Sequence, residues 1–186
     1  MVRDIIQKRR AYRSLAPAEI TRELIEDLAE SARLAPSCFN NQPWRYVFVH
    51  DDDMLEKMHG ALSTGNEWAT RASMIIAVYC REDDDCVIHD RQYYRFDTGL
   101  ATGFLILRAT ELGLVAHPIA GYSPSKVSDI LDIPDGYQVI TLVIVGRHAD
   151  DLSPLLTDKQ RAAEQKRPER KPFDAVASID RYEPPE

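Results

Sequence analysis

The stretch Ala35-Pro36-Ser37-Cys38-Phe39-Asn40-Asn41-Gln42-Pro43-Trp44 decides how this chain is read, because it separates two segments of different hydrophobic period. Upstream, Ile20, Leu24, Ile25, Leu28 and Ala32 recur at helical spacing, and Pro36 ends the segment by disfavouring helical backbone before it. Downstream, Arg45–His50 is a short aromatic and β-branched run that reads as a strand. Between them, two prolines stiffen a backbone whose amides and hydroxyls can face a ligand. A plain helix-to-strand connection, with Trp44 anchoring it in the core, fits the same composition.

Further along, Asp51-Asp52-Asp53 can cap a helix whose apolar stripe is Met54, Leu55, Met58 and Leu62. Ser73–Cys80 reads as a buried strand. Asp97 to Leu112 reads as a long helix, with Leu100, Phe104, Leu107 and Ala109 supplying bulk and Gly113 a stop. A short strand near Leu114–His117 leads to a turn at Gly121. Ser123-Pro124 sets an N-cap before a proline at the first helical position, so Ser125–Leu131 is expected to be a short helix. Val139–Val145 is the last strong strand. From Asp150 the chain is polar and carries Pro154, Pro168, Pro172, Pro184 and Pro185, which suits either disorder or an arm ordered by packing on something else. These elements form one domain over 1–186, with helices covering a small sheet.

The 186 residues suffice for a substantial core, and a net charge of -7 argues against a general nucleic-acid binder. No apolar run reaches the length of a membrane span. Met1-Val2-Arg3-Asp4 does not open a signal peptide, so a cytoplasmic location is expected. Cys38, Cys80 and Cys86 are odd in number and lack zinc spacing; reduced thiols are the simplest reading. His50, His59, His89, His117 and His148 are scattered and read as surface or structural residues, so no metal site is expected. The acidic runs Asp51–Asp53 and Glu82–Asp85 read as solvated loop charge.

Lys8-Arg9-Arg10-Ala11-Tyr12-Arg13 places four cations in six positions. It is either a solvated basic turn or an anion clamp, since guanidinium forks pair bidentately with phosphate oxygens. Tyr93, Tyr94 and Phe96 lie just before the long helix and read as lid or core, with core favoured for Phe96.

Taken together, Arg9-Arg10-x-x-Arg13 and Ala35-Pro36-Ser37-x-x-Asn40-x-Gln42-Pro43-Trp44 resemble the paired N-terminal signatures of the nitroreductase family of FMN-dependent enzymes. The resemblance continues in Asp97-Thr98-Gly99-Leu100-Ala101 and Gly113-Leu114, the ends of a long central helix. Pro118-Ile119-Ala120-Gly121-Tyr122 is similar to the family's turn beside the flavin, and Val143–Gly146 to the strand before the C-terminal arm. Arg170-Lys171-Pro172 is similar to its last basic motif. The likeness thus spans nearly the whole chain.

It implies an α+β fold with a central, mostly antiparallel sheet flanked by helices. It also implies a homodimer with FMN at the interface and an arm, about 150–186, reaching the partner subunit. Arg9, Arg10 and Arg13 would lie along the phosphate, ribityl chain and pyrimidine edge, where cations favour both the phosphate and the charge of the reduced ring. Ala11 stands where relatives usually carry Ser, so one hydroxyl contact is expected to be missing. Pro36, Ser37 and Cys38 would approach the flavin from the other subunit. Asn40 would touch the ring or organise the loop, and Gln42 would organise it from behind. Pro118, Ile119, Ala120 and Gly121 would form the turn beside the ring, with the backbone of Ala120 and Gly121 near N5. Many relatives have Glu at the position of Ala120, which bears on how nicotinamide docks. Arg170 would complete the phosphate clamp with Arg167 nearby, and Asn66 would face the pyrimidine edge or an exposed turn.

The implied activity is ping-pong hydride transfer from NADH or NADPH, through the flavin, to an electron-poor acceptor such as a nitro compound or quinone. The sequence has no Ser-His-Asp or Cys-His signature and no Gly-x-Gly-x-x-Gly or Walker loop, so nicotinamide would be held transiently. Flavin chemistry of another kind on this fold, such as reductive dehalogenation, and a non-enzymatic flavin-binding module are the rivals.

Overall fold

The computed structural model describes residues 1–184. Its helices are α1 (Val2–Lys8), α2 (Arg22–Arg33), α3 (Asp52–His59), α4 (Tyr94–Glu111), α5 (Pro124–Ile130) and α6 (Asp158–Gln165). Its strands are β1 (Leu15–Ala16), β2 (Arg45–Val49), β3 (Met74–Cys80), β4 (Val87–Ile88), β5 (Arg91–Gln92), β6 (Val115–Ile119) and β7 (Gln138–His148).

The long strand β7 organises the main sheet: β1, β3 and β6 all pair with it antiparallel, and β2 extends the sheet from β3. Both faces of β3 and β7 are covered, which is why their sequences are continuous apolar runs without alternation. Strand periodicity still sorts the side chains. Ile75, Ala77, Leu142 and Ile144 pack with Leu55 and Met58 of α3, Val127 of α5 and Trp68. On the opposite face, Met74, Ile76, Val78, Val143 and Val145 pack with Leu28 and Ala32 of α2 and with Ala101, Leu105 and Ala109 of α4. The result is a sheet between two helical layers.

Caps at Asp51 and Ser123 follow the sequence expectations, and the structure adds one at Thr21. Thr21, Asp51 and Ser123 accept from Leu24, Met54 and Lys126 N–H, at the starts of α2, α3 and α5. After α4, Gly113 takes φ +77°, a left-handed position that ends the helix without a Cβ clash.

Several expectations need correction. The long helix begins at Tyr94, three residues before Asp97, so Tyr94 is core while Phe96 points outward and is 62% exposed. Cys38 and Cys86 form a disulfide, with Cα atoms 6.1 Å apart; Cys80 alone is a free, buried thiol. The pairing joins segments 48 residues apart, a proximity that only the tertiary fold creates. The run Glu82–Asp85 is not uniformly solvated: Asp84 is largely enclosed by Arg81 and Arg45, and one oxygen each of Asp84 and Asp85 is buried. Finally, the polar tail is ordered in part by its own chain, since α6 packs against the N-terminal arginine segment. Residues 185–186 of the expected arm lie outside the described part.

Candidate functional site

The N-terminal arginines sit on extended backbone between α1 and β1, where no helix directs them away from one another. Arg9, Arg10, Arg13, Arg167 and Arg170 line one cavity of about 150 Å³, so the first and last basic motifs of the chain meet. Two of the five are already occupied. Arg10 donates to the carbonyls of Ala163 (2.8 Å) and Glu164 (3.0 Å), satisfying the negative end of α6. Arg167 donates to the carbonyls of Gln7 (2.5 Å) and Arg9 (2.6 Å), closing the cleft over α1. The guanidinium groups of Arg9, Arg13 and Arg170 have no hydrogen-bond partner among the described residues. Burial, then repulsion from Arg167, Arg170 and Arg10, pushes the Arg9 pKa down. Crowded and partly desolvated cations of this kind are relieved by an anion.

The segment is pinned from below. Glu164 of α6 is buried, and its carboxylate accepts from the backbone N–H of Arg13 (2.5 Å) and Ser14 (3.4 Å). Buried His117, on β6, lies 2.9 Å through Nδ1 from the Tyr12 carbonyl, which requires the proton on Nδ1. Burial lowers the His117 pKa to about 4, so the ring is neutral near pH 7 and adds no charge to the cleft. It stacks on Trp68 at 4.8 Å, and the Arg13 guanidinium lies 5.8 Å from the Trp68 ring.

Trp68 links this cleft to the turn after β6. Its indole N–H donates to Asn66 Oδ1 (3.2 Å), and Asn66 Nδ2 donates to the Gly121 carbonyl (2.9 Å). A Cβ at Gly121 would fall 2.1 Å from Asn66 Nδ2, so any larger residue there must displace the Asn66 amide. Arg13, Trp68, Asn66 and Gly121 therefore form a contiguous row. Ala120 and Pro118 are exposed beside it, whereas the Ile119 side chain is buried in the core and leaves only its backbone.

Pro36, Ser37 and Cys38 do not join that row. They line a second, mainly apolar cavity of about 450 Å³ with Ile88, Tyr93 and Phe96. Phe39, Asn40 and Gln42 all have positive φ (49°, 60° and 53°), a strained arrangement for side chains with a Cβ. Local bonds hold it: Ser37 Oγ accepts from Gln42 N–H (3.0 Å), and Asp97 Oδ2 from Cys38 N–H (2.6 Å). The Gln42 amide donates to the Asn40 carbonyl, while the Asn40 side chain is exposed. Burial, followed by the Asp85 carboxylate, raises the Asp97 pKa, and the Cys38 N–H opposes that rise. Among the described residues, the one set of side chains spaced for a metal is Cys38, Asp85 and Cys86, and its two sulfurs are bonded to each other.

Sequence reasoning missed Glu164, Trp68 and His117 as supports of the cleft. Glu164 carries no signal in a polar tail, and Trp68 stands outside any periodic stripe. Their roles emerge only where three separated segments converge.

A model of the nitroreductase family matches residues 6–74 and 63–147. The chain belongs to the nitroreductase family. It is 30% identical over 151 residues to an Archaeoglobus fulgidus protein provisionally named NADH dehydrogenase/NAD(P)H nitroreductase, covering 79% of this chain and 85% of that one. An NADH dehydrogenase of Thermus thermophilus is 26% identical over 175 residues, covering 77% and 85%. Among solved structures, an oxidoreductase described as containing FMN superposes with a TM-score of 0.85 at 29% identity, covering 97% of this chain and 92% of that one. A nitroreductase family protein of Clostridium difficile shares the fold, with a TM-score of 0.78 at 21% identity over 97% and 98%. Membership fixes the protein as a nitroreductase-fold, α+β relative of NAD(P)H oxidoreductases, and no described helix is long and apolar enough to cross a membrane.

Proposed function

We propose that this nitroreductase-family protein is an FMN-dependent NAD(P)H oxidoreductase acting as a homodimer. The observation that carries the reading is the row running from the arginine cleft through Trp68 and Asn66 to the Gly121 turn. A cluster of five arginines with little acidic compensation suits a dianionic phosphate, and three unoccupied guanidinium groups supply charge-assisted donors. The structural relative described as containing FMN supports the same assignment.

Bound FMN would supply two-electron hydride chemistry, taken from NADH or NADPH and passed in a ping-pong sequence to an electron-poor acceptor such as a nitro compound or quinone. The protein's part is binding and orientation. Arg9, Arg13 and Arg170 hold the phosphate and ribityl end. Arg10 and Arg167 fix the cleft walls through backbone carbonyls, and the backbone of Ala120 and Gly121 approaches the reacting edge. Asn66 acts by fixing Gly121, with any contact to the pyrimidine edge made by its remaining amide hydrogen.

In a single chain, the Pro36–Cys38 loop lines a cavity separate from the arginine cleft, as a site completed by a second subunit requires. Exposed Leu34, Phe39, Phe96 and Phe104, with Phe173, Val176, Ile179 and Tyr182 in the arm, provide apolar surface for that subunit to cover. The arm beyond α6 is the segment that crosses, and Asn40 faces the partner's flavin. A cytoplasmic location accompanies this reading, because nicotinamide donors are held there.

Calorimetric titration with FMN and with riboflavin tests the assignment through the phosphate alone. FMN should bind at least about 100-fold more tightly, the value of two charge-assisted hydrogen bonds, with the gap shrinking in high salt. Equal affinities would remove the arginine cleft from the site.

A further inference from the structure

Outside the proposed catalytic row lies a covalent cross-link that the chemistry does not use. Strands β4 and β5 form a two-stranded hairpin separate from the main sheet. Its turn contains His89 at φ 58°, and Val87, His89, Asp90, Arg91 and Gln92 are all exposed, so little apolar burial holds it in place. The hairpin nevertheless supplies Ile88 to the lining of the apolar cavity, together with Pro36, Ser37 and Cys38. Two bonds tie the hairpin's base to the Pro36–Gln42 loop. One is the Cys38–Cys86 disulfide; the other is a hydrogen bond from Asn41 Nδ2 to Asp85 Oδ1 that is long, at 3.3 Å, and exposed.

We propose that Cys38–Cys86 is a redox modification site whose reduction releases the β4–β5 hairpin and opens the apolar cavity beside the Pro36–Gln42 loop. The reductant is a dithiol. One of its thiolates attacks either sulfur, the Cys38–Cys86 bond breaks, and a mixed disulfide forms with the displaced cysteine leaving as thiolate. The second thiol of the reductant then displaces the attacked cysteine. Two electrons and two protons pass to the protein, giving two cysteine thiols and one oxidised dithiol.

The consequences follow from what remains. Loss of the cross-link leaves one exposed hydrogen bond between hairpin and loop, of the kind that contributes about 1 kcal/mol or less. The loop side keeps its own anchors, since Cys38 N–H still donates to Asp97 and Ser37 Oγ still accepts from Gln42. The hairpin therefore loosens while the loop holds. Such a reversible cross-link also fits a reducing compartment, where protein disulfides are transient and redox-sensing. The proposal rests on the functional reading only in the cytoplasmic location that accompanies it.

The test uses the full chain equilibrated in glutathione buffers of graded potential, with thiols trapped by alkylation and peptides mapped by mass spectrometry. Hydrogen exchange is followed in parallel. A linked Cys38–Cys86 peptide should appear at oxidising potentials and vanish on addition of dithiothreitol, while buried Cys80 stays unlinked. On reduction, amide exchange across 86–93 should accelerate on the order of tenfold or more, with β3 and β7 unchanged. Cys86→Ser should show the fast exchange in either buffer, and reduced wild-type protein serves the same purpose if that variant folds poorly. Two free thiols at every potential, or equal exchange in both states, would overturn the proposal. Neither readout involves flavin, so failure to bind FMN would sink the functional reading without touching this one.

Discussion

The arginine cleft and the Pro36–Gln42 loop are proposed as two halves of one site, yet they are held by opposite means. The cleft is self-contained: Glu164, His117, Trp68 and two of its own arginines fix its backbone within one chain. The loop is strained at Phe39, Asn40 and Gln42, and is secured by Asp97 and a disulfide. Charge can be gathered by a single subunit, because like-charged side chains tolerate each other when carboxylates and carbonyls anchor the backbone beneath them. A ligand-facing loop with exposed Phe39 and Asn40 instead presents shape, and shape needs an opposing surface.

The largest effect is expected from reversing charge in the cleft. Arg9→Glu should weaken FMN binding on the order of 100-fold or more, by losing a charge-assisted donor and adding repulsion to the phosphate. Asn40→Ala in the loop should change FMN affinity by about threefold at most, because its contact is a neutral one. Equal losses in a titration of both variants would erase the distinction between the halves.

Next in size is an acid dependence of the cleft. His117 titrates at about 4 in the folded protein, below its ordinary value of 6.5, so the unfolded chain binds the proton more readily. Stability from this group is complete above about pH 6.5 and falls as pH drops toward 4, by up to roughly 3 kcal/mol. Denaturant midpoints of wild type and His117→Gln across that range should diverge, with the variant showing the shallower slope.

Gly121→Ala is expected to cost about 1–3 kcal/mol by forcing Asn66 off the turn, measured as a lowered Tm together with weaker FMN binding. The smallest effect is Arg22→Ala, which removes an exposed pair with Glu26 on α2 and should leave the denaturation midpoint essentially unchanged. A larger shift there would mean that surface charge, not the buried anchoring described above, controls the fold.

What the sequence disclosed follows the same division. α2, α3, α4, β2, β3 and β7 were legible from periodic or continuous apolar runs, and α5 from its Ser123-Pro124 cap, which is local chemistry. α1 was not, since none of its residues is buried. α6 was hidden because hydrogen bonds to Arg10, Arg13 and Ser14 dock it, with Glu164 rather than an apolar residue at its buried position. The arginines were legible as two basic motifs, at the two ends of the chain, and the fold brings them to one cavity. That Arg10 and Arg167 spend donors on carbonyls, while Arg9 and Arg13 do not, depends on contacts across more than 150 residues. The disulfide was read as free thiols because residue spacing says nothing of a hairpin folding back over a loop.

Whether bound flavin takes electrons from nicotinamide is read from the visible spectrum of purified protein saturated with FMN, recorded anaerobically before and after NADH and then NADPH. The bound-flavin spectrum should bleach with at least one nicotinamide and return when an electron-poor acceptor such as a quinone is added. A protein that binds no FMN, or binds it and leaves it oxidised with both donors, would contradict the proposed function.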